Sequence, residues 1–358
     1  MEDKKANRIK KNAERISNSA KKRAALSVRG IVSPLFCALL LIAAAVFLIH
    51  ISRSYTKQPA NAQEQTRLDN SYFFYLRQEE SRLAAESEAQ ANAPKEVGDS
   101  VFGRYAILVR CSDGRVICQK NPDERMYPAS MTKLMTVLVA IEQLSDPENT
   151  TFEVTQDIIN YCIEQNASRA GFLAGEHVTA LDLLYCTVLP SGADAALALA
   201  NGIAGSESSF AVLMNQKARE LGLNDTHFTN VTGLHDENHY TTLRDLAAII
   251  QYGLHNQTFR DLVSAMRYTV SPTDMHTGGF TVRSTIYNAM QTYETECSYI
   301  LGGKTGFTPQ AGQCLAAYTR CNGDYYIVIT ADTSPTSYTA NHIKDIDSLL
   351  EQFVVYAE

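Results

Sequence analysis

In Pro128-Ala129-Ser130-Met131-Thr132-Lys133 a hydroxyl and an amine stand three residues apart. At a helix start that spacing brings both side chains to one face. A serine hydroxyl is inert until a base takes its proton, and a lysine can be that base once desolvation or a neighbouring cation lowers its pKa. Backbone N–H groups at the helix start favour negative charge developing near Ser130. Taken alone, the same residues fit an N-cap serine followed by a solvated lysine. Far downstream, Gly303-Lys304-Thr305-Gly306 lies in a strand pattern. There Lys304 and Gly306 share one face and Thr305 takes the other, unless twist at an edge leans its hydroxyl toward the cleft, and the glycine leaves room for a second backbone, as when an extended peptide adds to a sheet edge. Between them, Leu189-Pro190-Ser191-Gly192-Ala193-Asp194 breaks two helical stretches and carries a further hydroxyl, Ser191. Each of these segments in isolation also reads as an ordinary turn with surface side chains.

Something must hold the three segments together, and the periodicities say what. Residues 105–111 and 116–119 flank Asp113-Gly114 and read as a strand hairpin. The middle is helical, with stretches at Ser130 to Leu144, Leu181 to Leu189, Ala193 to Ile203 and Phe210 to Glu220, the last stopped by Gly222. Strand patterns return at 299–301, 313–319 and 325–331, and a helix over 343–355 places Ile346, Leu349, Leu350 and Phe353 on one face. This order predicts an α/β (α+β) domain over residues 100–358, an antiparallel sheet flanked by helices in which distant segments share one sheet. No internal repeat is visible.

The chain has 358 residues and a net charge of −7 that is unevenly spread. Residues 1–30 carry ten Lys/Arg against three Asp/Glu, and the remainder 22 against 36, so the bulk is acidic and nucleic acid is not expected as a partner. Residues 31–51 hold no charge and match the ~20 residues a membrane-spanning helix needs. The positive-inside rule then puts the basic arm in the cytoplasm and the rest outside, a single-pass cell-membrane protein. A cleaved signal peptide would use Ala60-Asn61-Ala62, well beyond the apolar run, so an uncleaved anchor is the reading taken. Residues 52–99 are polar, carry a few helix-spaced apolar positions and read as a stalk. Beyond the anchor's Cys37 lie seven cysteines, an odd number without a CxxC pair, which excludes a complete disulfide framework within one chain. His227, His235 and His239 are spaced by eight and four, which suits loop packing better than a metal site.

Order strengthens the three weak signals: Ser-x-x-Lys, a serine in a helical break, then Lys-Thr-Gly on a strand is the signature of penicillin-binding proteins and serine β-lactamases. Tyr127 to Thr136, Met214-Asn215-x-x-Ala218-x-x-Leu221-Gly222, Phe228-x-Asn230-x-x-Gly233-Leu234 and Gly303 to Gly312 closely resemble the D-alanyl-D-alanine carboxypeptidase family, the low-molecular-mass penicillin-binding proteins. The resemblance runs from about Val101 to Asp332 and implies a β-lactamase/transpeptidase-like fold. It implies that Ser130 attacks the D-Ala-D-Ala bond of a peptidoglycan stem peptide, that Lys133 accepts its proton, and that Ser191 relays a proton to the leaving amine. It further implies that Lys304 and Thr305, with Gly306 and Phe307 beside them, bind substrate, that N–H groups of Ser130 and Phe307 form the oxyanion hole, and that β-lactams acylate Ser130. No metal or organic cofactor is implied.

Two positions depart from the family's pattern. Ala193 stands where an asparagine is usual, so water or Asp194 must replace its amide, or turnover is weak. The usual Asn-x-Leu-Leu is poorly matched by Asn288-Ala289-Met290-Gln291. Two other functions stay open on sequence alone. A class A β-lactamase needs a water-activating glutamate, for which Glu220 is the candidate, although it reads as a helix end. A weakly catalytic sensor of wall peptide or β-lactam would signal through the basic arm.

Overall fold

The computed structural model describes residues 77–83, 93–295, 297–336 and 339–356. The basic arm, the apolar run 31–51 and most of the 52–99 stretch lie outside the described residues. Gln90–Glu358 form one unit, which holds every element below.

Strands β2 (Tyr105–Arg110) and β3 (Val116–Lys120) form the expected hairpin, with the two-residue strand β1 (Lys95–Glu96) parallel to β3 at the sheet edge. The chain then crosses to a short 3-10 turn, Ala129–Thr132, which runs into α1 (Lys133–Gln143). A small hairpin, β4 (Thr151–Val154) and β5 (Glu176–Thr179), encloses α2 (Gln156–Glu164). Helices α3 (Ala180–Val188), α4 (Ala193–Ala204), α5 (Glu207–Glu220), α6 (Leu243–Gly253) and α7 (Gln257–Ser264) follow. A second hairpin, β6 (Arg267–Val270) and β7 (Phe280–Arg283), leads to α8 (Thr285–Thr292). The chain closes with β8 (Ile300–Thr308), β9 (Gly312–Cys321), β10 (Asp324–Ala331) and α9 (Asn341–Leu350), which loosens into a π turn over Glu351–Val355. Neither small hairpin was anticipated, and the short strand pattern at 299–301 proves to be the start of the nine-residue β8.

The main sheet has the order β1-β3-β2-β10-β9-β8. Strand β10 pairs antiparallel with β2 on one side and β9 on the other, joining the two ends of the domain as the order of elements predicted. Both faces of these central strands are buried: Ile107, Ile327 and Ile329 face the helical core, while Ala106, Leu108 and Val328 face α9 through Ile343, Ile346, Leu349 and Leu350. That is why β2 and β10 read as continuous apolar runs rather than alternating ones. Strand β8 is the last strand of that sheet, with no further strand partner among the described residues.

Six helices start on a side-chain cap, from Thr155, Thr179, Ser206, Thr242, Asn256 and Ser284. The turn that carries Ser130, and α4 after Ser191, have none, so neither serine is occupied in capping. The seven cysteines among the described residues are free thiols, and burial pushes those of Cys118 and Cys314 up to about 12.

Candidate active site

Ser130 and Lys133 lie in the 3-10 turn and at the first position of α1. Three residues per turn stacks i over i+3 more directly than an α-helix does, and Lys133 Nζ lies 3.2 Å from Ser130 Oγ. Ser130 is half-buried; Lys133 is buried. Burial drives the Lys133 ammonium down to about 7, against the opposing pull of Asp194, Cys162 and Glu207 nearby. Its neutral form, the one that can take a proton, is therefore dominant just above neutrality. Acylation of Ser130 should rise with pH through about 7 and fall roughly tenfold per unit below it. Rates of penicillin acylation between pH 5 and 9 check this, and a flat profile would count against Lys133 as the base.

Strand β8 brings its motif against the same turn. A Cβ on Gly306 would meet the Pro128 carbonyl oxygen at 3.0 Å and the Ser130 nitrogen at 3.1 Å. The room this glycine leaves is thus filled by the backbone of Pro128 to Ser130, which corrects the expectation that an added peptide strand uses it. Lys304 is wholly buried, and its Nζ donates to the Thr305 carbonyl at 2.9 Å. Burial, with Lys133 close by, holds its pKa well below the usual ammonium range. Two adjacent buried ammonium groups repel, so an anion between them would favour their charged forms. Thr305 Oγ1 lies 2.6 Å from Thr285 Oγ1, and the Thr285 N–H donates to the Leu189 carbonyl at 3.0 Å. The start of α8 thereby ties β8 to the Ser191 loop, through a residue outside the Asn288 to Gln291 segment where sequence comparison looked. Phe307, next along β8, is 38% exposed.

Ser191 occupies the turn between α3 and α4 with φ +64, a left-handed conformation that costs a serine about 1–3 kcal/mol. It is buried, and its Oγ has no hydrogen-bond partner among the described residues. A strained, buried hydroxyl with no partner among the described residues is a candidate proton carrier.

Asp194 does not replace the missing amide by contact. Its buried carboxylate accepts N–H groups of Ala170 at 2.8 Å, Gly171 at 3.2 Å and Ala195 at 3.0 Å, and so fastens the preceding loop to α4. It reaches Lys133 through charge alone. The direct partner of Lys133 is the Thr232 carbonyl, which accepts from Nζ at 2.6 Å. Sequence reasoning missed this group because backbone carbonyls carry no residue signature. Its signal was the Phe228-x-Asn230-x-x-Gly233-Leu234 motif itself. Asn230 Oδ1 accepts from the Thr232 and Gly233 N–H groups, and Asn215 brackets Phe228 with two bonds of 2.7 and 2.9 Å.

Glu220 lies at the exposed end of α5, 2.8 Å from Lys217. The three histidines diverge: His227 Nδ1 lies 2.6 Å from the Asn238 carbonyl, His235 packs edge-on to Tyr127, and His239 is buried against Thr132 in the turn that carries Ser130.

A family model described as D-alanyl-D-alanine carboxypeptidase matches residues 89–334. The D-alanyl-D-alanine carboxypeptidase DacF of Bacillus subtilis is 30% identical over 251 residues, which cover 70% of this chain and 62% of that protein. A D-alanyl-D-alanine carboxypeptidase of a Streptomyces species is 33% identical over 242 residues, covering 66% of this chain and 82% of the relative. Among solved structures, a Streptomyces DD-transpeptidase superimposes with a TM-score of 0.64 at 27% identity, over 72% of this chain and 99% of that one.

Proposed function

Because the chain belongs to the D-alanyl-D-alanine carboxypeptidase family, we propose that it is a membrane-anchored serine peptidase that removes the terminal D-alanine from peptidoglycan stem peptides. The observation that carries this is Ser130 Oγ lying 3.2 Å from a Lys133 that burial drives toward neutrality. Lys133 takes the Ser130 proton as Oγ attacks the penultimate D-Ala carbonyl. The N–H groups of Ser130 and Phe307 hold the oxyanion, and such donors are often worth ~3 kcal/mol each. Collapse breaks the C–N bond as the Lys133 ammonium passes its proton through the Ser191 hydroxyl to the leaving amine, which restores both groups, and D-alanine departs. Water then attacks the Ser130 ester with Lys133 again as base. The substrate's terminal carboxylate sits against Lys304 and the Thr305 hydroxyl, and supplies the anion that keeps the two lysines compatible. A β-lactam opens on Ser130 by the same first step. Residues 31–51 tether the enzyme, with the basic arm in the cytoplasm and the catalytic unit outside. The carboxypeptidase names of the relatives support this reading, and the Thr232 carbonyl supplies a fixed partner for Lys133 where Ala193 lacks an amide.

Full-length protein incubated with a peptide ending in D-Ala-D-Ala should release free D-alanine and show a transient acyl adduct by intact mass. A persistent penicillin adduct without release of D-alanine would instead favour a sensor. Neither release nor adduct would overturn both.

A further inference from the structure

Behind Ser130 a chain of hydrogen bonds ends on the carbonyl of the residue before it. The Thr229 N–H donates to His239 Nδ1 at 3.1 Å. A backbone N–H can only donate, so Nδ1 carries the lone pair and the ring proton is on Nε2. Nε2 lies 2.7 Å from Thr132 Oγ1 and therefore donates to it, and the Thr132 hydroxyl in turn donates to the Ala129 carbonyl at 2.8 Å. The two links at Thr132 are buried and the one at Thr229 is part-buried, and Thr132, beside the start of α1, makes no cap with this hydroxyl. Burial pushes the His239 imidazolium down to about 4, so the ring stays neutral at working pH.

The carbonyl at the end of the relay needs holding. Ala129 has φ +46, a left-handed conformation unusual for a residue with a Cβ. The C=O of Ala129 and the N–H of Ser130 belong to one planar peptide group, so the direction of one sets the direction of the other. We propose that His239 and Thr132 are positioning residues, which hold the Ala129 carbonyl and thereby aim the Ser130 N–H at the acyl oxygen. The inference rests on the reading of Ser130 as nucleophile and oxyanion donor, and gives the Phe228 to Leu234 loop and His239 a part in the reaction without contact with substrate.

The test uses the full-length protein and two-step acylation by a penicillin, separating the non-covalent dissociation constant from the rate constant for bond formation. Thr132→Val removes the middle hydroxyl at nearly constant volume, and is expected to slow bond formation by about 10- to 100-fold, since a donor is misaligned rather than deleted. The dissociation constant should stay within about twofold. Thr132→Ser keeps the hydroxyl and should recover most of the rate, a rescue that loss of packing alone would not give. Because the two residues act as a unit, Thr132→Val combined with His239→Leu should be little slower than either alone. If Thr132→Val loses its fold by circular dichroism, His239→Gln, which keeps a donor toward Thr132, is compared with His239→Leu and should be the faster. A wild-type rate in Thr132→Val, equal slowing in Thr132→Ser, or losses that multiply would overturn the proposal while leaving Ser130 as nucleophile. Absence of any adduct on the wild type would overturn the reading of Ser130 and the relay with it.

Discussion

Ser130→Ala should leave no penicillin adduct by intact mass and lower D-alanine release at least ~10⁴-fold, the scale seen when a serine nucleophile is removed from a unit that acts together. The fold should survive. Ser130 is half-buried in a turn capped by no side chain, and Lys133 keeps its 2.6 Å bond to the Thr232 carbonyl when the hydroxyl is gone. The stability change should therefore stay within about 1 kcal/mol. Urea unfolding measured beside the mass assay separates lost chemistry from lost structure. An adduct of wild-type mass on Ser130→Ala would move the nucleophile elsewhere, and the assignment would be wrong.

Gly233→Ala should damage both stability and chemistry, although the residue carries no reactive group. Gly233 has φ +79, and an added Cβ would lie 1.8 Å from the Ala129 carbonyl oxygen and 2.4 Å from its carbon. Both neighbours are backbone, so no rotamer change relieves the overlap, and the Phe228 to Leu234 loop and the nucleophile turn must separate. Left-handed strain together with overpacking should cost roughly 2–4 kcal/mol. The displaced peptide is the one between Ala129 and Ser130, and the same loop presents the Thr232 carbonyl to Lys133. Displacement of about 1 Å at such a site can cost 10²-fold in rate. The urea midpoint and the acylation rate should both fall, and a variant that matches wild type in either would mean that the loop yields without disturbing the turn.

The two variants differ in what sequence could say about them. Ser130 is legible, because a hydroxyl and an amine at a helical spacing make sense within four residues of chain, and the ordered companions Ser191 and Lys304-Thr305-Gly306 raise that sense to a family. Gly233 was legible only as part of a fingerprint. The reason for a glycine there is a carbonyl more than a hundred residues upstream. Asp194 shows the opposite failure: its position beside the Ser191 turn suggested a group reaching toward the base, yet its oxygens are taken by N–H groups of Ala170, Gly171 and Ala195. Thr285 lies outside the poorly matched Asn288 to Gln291 segment and belongs to no motif, and its contact with Thr305 comes from the first residue of α8.

The amino-acid sequence by itself determined the opening hairpin, the helical middle and the closing strands and helix, though neither small hairpin, together with the pairing of Ser130 with Lys133 by local spacing and the family to which the motifs belong. These depend on periodicity and on neighbours within a turn or two, which a linear chain displays directly. Only the tertiary structure decided that β10 lies between β2 and β9, that Lys133 is driven to about 7, that a carbonyl 99 positions away is its partner, and that His239, 107 positions from Thr132, braces the nucleophile's peptide. Desolvation and hydrogen bonding act through space at a few ångströms, and the residues that share those few ångströms are chosen by the packing of distant segments, a choice no local window of sequence contains.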